Sequence, residues 1–126
     1  MSDIKLSYQE HVDAWMLACF GLEISVDKIE RNHRFLGKSL GLVQANGCTR
    51  DEAHQLVDYV FGRPVGKVRQ EVGGVMLTLA ALCNATGIAL PREADKELAR
   101  AWNKIDVIRA KQAAKPKHSP LPGPTS

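Results

Sequence analysis

A chain of 126 residues with 44% apolar and 25% charged residues has the composition of an ordinary globular protein built on one core. Its formal charge of +3 allows an anionic ligand but is too small to argue for nucleic acid, and no apolar run is long enough to span a bilayer. The opening stretch MSDIKLSYQEH has no apolar signal core. Cys19, Cys48 and Cys83 form no CxxC pair and no finger spacing with a histidine, which predicts three reduced cysteines in a cytoplasmic protein.

Helix signals then follow one another along the chain. Ser7 with Glu10 is a capping box, and the helix it opens runs to Gly21. Val12, Trp15, Met16, Cys19 and Phe20 recur at spacings of three and four, which predicts one buried stripe. A second helix is expected from just after Ser25 to the stop at Gly47, with Ile29, Leu36, Leu40 and Val43 inward and Phe35 and Leu42 widening that stripe. Thr49 with Glu52 is a second capping box, opening a short helix that Gly62 ends.

GRPVG, residues 62–66, reads as a turn because Pro64 disfavours helix at Arg63. The helix from Lys67 to the stop at Gly87 is apolar on nearly every side from Val75 to Cys83, so it is predicted to be the most buried. Pro91 suits a first helical position, and one long charged helix is expected from there to Ala114. Its inward stripe is Leu98, Trp102, Ile105 and either Val107 or Ile108. Residues 115–126 hold four prolines and no periodicity, which predicts a flexible tail on a single helical domain of residues 1–114. The expected fold is all-α, a bundle of four to five helices.

Two pairs of glycines interrupt these helices: Gly37 and Gly41, one turn apart, and Gly73 with Gly74. Each costs roughly 1 kcal/mol relative to alanine in a helix interior. On composition alone they read as points where two helix backbones come close.

The order of the motifs carries more. ERNHRFLGKSLGLVQANG, then LVDYVFGRPVG, then QEVGGVMLTLAALC, then KIDVIRAKQAAKPKHSPLPG resembles the MazG-like, all-α nucleoside triphosphate pyrophosphohydrolases, closest to a branch of small bacterial and phage proteins. The resemblance spans roughly residues 27–123. It implies a MazG-type bundle and a metal-dependent conversion of a nucleoside triphosphate to the monophosphate and pyrophosphate. That family carries EExxE on one helix and ExxD on the next but one. Acids at such spacings converge from facing helices, and hard Mg²⁺ or Mn²⁺ ions prefer oxygen ligands of this kind.

Laid onto this chain, the first motif falls on Gly37, Lys38 and Gly41, and the second keeps Glu71 but has Gly74 at its aspartate position. Of the five acidic positions in the two motifs only Glu71 keeps its carboxylate, and Lys38 would repel a divalent cation. Glu30 and Asp58 are the candidates for replacement metal ligands. Against that, Glu30 also reads as a solvated acid or a partner of Arg34 one turn on, and Asp58 as a hydrogen-bonded structural acid among apolar neighbours. The family's basic last helix implies phosphate contacts at Lys104 and Arg109, with Arg63 and Lys38 adding to them. Lys111 and Lys115 read as solvated charge.

Three functions are in play. The first is a catalytically impaired MazG-like protein that binds a nucleotide or a partner protein, with no cofactor required. The second is an active pyrophosphohydrolase using Mg²⁺ or Mn²⁺ on replacement carboxylates. The third is an interaction or inhibitor module, such as a phage would encode, without nucleotide affinity. A homo-oligomer, dimer or tetramer, is expected from the resemblance and from an apolar content larger than one core can hide. Membrane and nucleic-acid partners are not expected.

Overall fold

The computed structural model describes residues 6–123, and among these it shows seven helices and no strand. The protein is all-α. The helices are α1 (Tyr8–Phe20), α2 (Leu22–Ser25), α3 (Lys28–Ala45), α4 (Arg50–Phe61), α5 (Val68–Thr86), α6 (Leu90–Trp102) and α7 (Ile105–Ala114). They fall into two units. One holds the described residues up to Phe35 together with those from Pro91 onward, and the other is Leu36–Leu90.

The first unit is organised around α1. Its capping box forms as the sequence predicts: Glu10 N donates to Ser7 Oγ at 3.1 Å, and Ser7 N donates to Glu10 Oε1 at 3.0 Å. The predicted stripe is the inward face, with Cys19 buried and Val12, Trp15, Met16 and Phe20 partly covered. Trp15 meets Phe20 edge to face at 5.7 Å, and the Arg31 guanidinium lies over the Phe20 ring at 5.6 Å. The backbone of α1 packs along α2 and α7, and Tyr8 ties it to α6 by donating to Ala94 O at 3.2 Å.

Two boundaries differ from the sequence reading. Gly21 adopts φ +81° and turns the chain into the one-turn α2, where Ser25 Oγ donates to Gly21 O at 2.7 Å. Asp27 then caps α3, its Oδ1 accepting from Ile29 N at 3.1 Å and Glu30 N at 3.3 Å, so that helix opens at Lys28. The long C-terminal helix is in fact two. Lys104 N bonds back to Ala101 O at 3.1 Å, a tightened last turn that ends α6 without any proline or glycine to announce it. Of its predicted stripe, Leu98, Ile105 and Ile108 are partly covered, whereas Trp102 and Val107 are exposed.

The second unit comprises the remainder of α3 with α4 and α5. Local signals are again obeyed. Glu52 N donates to Thr49 Oγ1 at 3.2 Å and Thr49 N to Glu52 Oε1 at 2.8 Å, and Gly87 closes α5 in the left-handed region at φ 70°. Burial is not as expected. Only Cys83 is buried on α5, the helix predicted to be most enclosed, and Leu36, Leu40, Phe35 and Leu42 of the predicted α3 stripe are exposed. No two helices of this unit pack along one another, so the apolar periodicity is present without the surface it needs. Among the described residues no single helix is long and apolar enough to cross a membrane.

Candidate functional site

Most of the positions singled out by the resemblance fall in the second unit: Gly37, Lys38 and Gly41 on α3, Asp58 on α4, Arg63 in the following turn, and Glu71 and Gly74 on α5. A Cβ added at Gly37, Gly41, Gly73 or Gly74 would meet no atom within 4 Å. Within the second unit, the close backbone approach that composition suggested is therefore absent at these four glycines. Glu71 leans back over the turn, its Oε1 lying 2.7 Å from where a Gly66 Cβ would stand. Arg63 stacks on Tyr59 at 5.3 Å, and Asp58 is exposed rather than held among apolar neighbours. Among the described residues no three His, Cys, Asp or Glu side chains gather where they could hold a metal ion.

Glu30, Lys104 and Arg109 belong to the first unit. Glu30 is neither solvated nor paired with Arg34: it is 3% exposed, and Lys115 Nζ donates to its Oε1 at 2.6 Å. His118 N adds a bond to the same oxygen at 3.2 Å, and Gln112 Nε2 reaches Oε2 at 3.5 Å. Lys115, read as solvated, has a side chain only 4% exposed. Beside this pair His118 Nε2 lies 2.8 Å from Asp27 Oδ2, so the segment after α7 is fastened to the start of α3 at two points. A positive φ of 62° at His118 accompanies this turn.

Arg109 is also engaged. Its Nε donates to Cys19 O at 2.6 Å and its Nη2 to Ala18 O at 2.5 Å, satisfying carbonyls that the end of α1 leaves without helical partners. Lys104 stands exposed at the start of α7. Asp27, Glu30, Arg109 and Lys115, with Cys19 and Phe20, border a cavity of about 450 Å³. Burial pushes the Cys19 thiol pKa up, against the opposing charge of Arg109.

The carboxylates respond to the same geometry. Burial alone would raise the pKa of Glu30, but hydrogen bonds from Lys115 and Gln112, the Lys115 charge and the His118 amide together hold it below its ordinary 4.5. Asp27 is likewise held below 3.8, the His118 bond and the Glu30 and Ile29 amides outweighing burial. Both folded-state values are depressed, so the unfolded chain binds more protons in acid. The stability these groups contribute is complete above about pH 5 and is lost as pH falls through the folded values. The urea midpoint is expected to drop as pH falls below about 5, and to drop less steeply in Glu30→Gln. A midpoint with the same acid limb in wild type and variant would count against this origin.

This fastening could not be found by local pattern, because Glu30 and Lys115 lie 85 residues apart. Comparisons with models of protein families, with curated proteins and with solved structures gave no significant match.

Proposed function

We propose that this chain is a divergent MazG-like pyrophosphohydrolase fold in which the metal-dependent reaction is lost or weakened, and which acts in the cytoplasm by binding a nucleotide or a partner protein. The observation that carries this reading is the donor set at the family's acidic positions. Gly37, Lys38, Gly41 and Gly74 supply no carboxylate and Glu71 supplies one, on helix faces where no neighbouring atom accounts for the missing side chains.

The residues present do not fit a pair of Mg²⁺ or Mn²⁺ ions, which call for several converging oxygen ligands. Glu30 offers no substitute, since both its oxygens are taken up by Lys115, His118 and Gln112. Lys38 and the Arg63 guanidinium keep positive charge on the second unit, where a phosphate group would be attracted.

Calorimetric titration of Mg²⁺ and Mn²⁺, with and without nucleoside triphosphates and coupled to a pyrophosphate-release assay, tests the reading. Nucleotide binding without turnover is expected. Metal-dependent pyrophosphate release from the wild-type chain would overturn the impairment, and would return attention to Glu71 and Asp58 as ligands.

A further inference from the structure

The guanidinium of Arg31, on α3, is buried without a counter-ion among the described residues. It lies over the Phe20 ring at 5.6 Å, and its Nη1 stands 3.7 Å from Met16 Sδ. Its Nε and Nη2 are closed to solvent and have no hydrogen-bond partner among the described residues. The same holds for Nε1 of Trp15, whose ring meets the same Phe20. The acids whose charge is felt at Arg31 are Glu30 and Asp27, and these are already held by Lys115 and His118. Burial, ahead of the like charge of Arg34, pushes the Arg31 pKa down. A buried ion left unpaired destabilises a fold, so a chain that keeps one calls for a reason.

The unpartnered atoms have a particular geometry. Nε and Nη2 form one edge of the planar guanidinium, the edge that holds both oxygens of a carboxylate in two parallel hydrogen bonds. Arg31 and Met16 also border a groove of about 840 Å³, whose apolar wall includes Val12 and Leu17 of α1. The carboxylates of Glu10 and Asp13 border it as well. A single negative charge can be balanced there by Arg31, whereas a phosphate group, with a charge of about −1.5 to −2, is repelled by those two acids.

We infer that Arg31 anchors a binding site for a small monocarboxylate with an apolar tail, the carboxylate on the Nε–Nη2 edge and the tail along Val12, Met16 and Leu17. Met16 is unbranched and touches the guanidinium, so turning it about its own bonds opens Arg31 to the groove. Every residue of the site belongs to the first unit. The inference does not use the nucleotide reading and stands or falls apart from it.

Fluorescence of Trp15 tests it, read in the full chain carrying Trp102→Phe so that one tryptophan remains. The probe is octanoate, with octanol and inorganic phosphate for comparison. Octanoate should change the emission saturably and bind about tenfold or more tightly than either comparison probe, the worth of a charge-assisted fork. Arg31→Met should weaken octanoate binding by about tenfold or more, yet raise the melting temperature of the ligand-free chain by a few degrees, because the unpaired charge is gone. A purely structural role for Arg31 predicts the opposite shift. Arg31→Lys keeps the charge without the planar fork, and should fold as the wild type does while binding octanoate severalfold more weakly. The inference is overturned by the absence of a saturable response to octanoate, or by octanol or phosphate binding as tightly. Octanoate affinity unchanged in both variants overturns it too, as does an Arg31→Met chain that melts below the wild type or fails to fold.

Discussion

Replacing Glu30 with alanine is expected to destabilise the folded chain by about 3–5 kcal/mol, the largest loss from any single side chain named above. The reason is what stays behind. Lys115 keeps its ammonium group at 4% exposure with its carboxylate partner removed, and the His118 amide loses its acceptor. A buried charge without a counter-ion costs far more than the intact pair contributes, because taking both ions from water has already offset most of their attraction. Urea unfolding followed by the fluorescence of Trp15, which lies on the adjoining α1, measures the loss. The double substitution Glu30→Met with Lys115→Met removes both charges and should recover most of it. A loss below about 1 kcal/mol in Glu30→Ala would place the pair with ordinary solvated ion pairs, and the fastening of the C-terminal segment would need another cause.

The second large effect is a gain. Substituting Gly37→Glu, Lys38→Glu, Gly41→Glu and Gly74→Asp together is expected to bring metal-dependent pyrophosphate release up from background by about two orders of magnitude or more, since Lewis-acid catalysis needs the full donor set. The glycine positions have room for the side chains, with no atom within 4 Å of an added Cβ. Leaving glycine in a helix interior should also gain a few tenths to about 1 kcal/mol at each site. The new acids repel one another until a cation neutralises them. Thermal unfolding of this variant should therefore respond to Mg²⁺ or Mn²⁺ by several degrees, while the wild type should not. If the variant folds but neither binds metal nor releases pyrophosphate, the assignment of these four positions to a lost metal site fails, and the MazG-like reading loses its main support.

These two experiments address different kinds of information in the chain. The sequence by itself determined the local structure: both capping boxes, the glycine stops at Gly21, Gly62 and Gly87, the inward stripe of α1 and the all-α class. Each depends on residues within about one turn of each other, where side-chain chemistry acts directly on the backbone. The same local logic misplaced the start of α3, because α2 and the Asp27 cap occupy a stretch with no strong period, and it joined α6 to α7 across an unmarked break.

What only the tertiary structure decided concerns partners far along the chain. That Glu30 belongs to Lys115 rather than Arg34, and that Arg109 ends α1 rather than standing free for phosphate, follows from contacts 85 and 90 residues apart. That α5 lies open follows from a further limit. Periodicity records that a helix face is to be covered, but the hydrophobic effect is non-directional, and the same apolar pattern serves whether the cover comes from the same chain or from a second one.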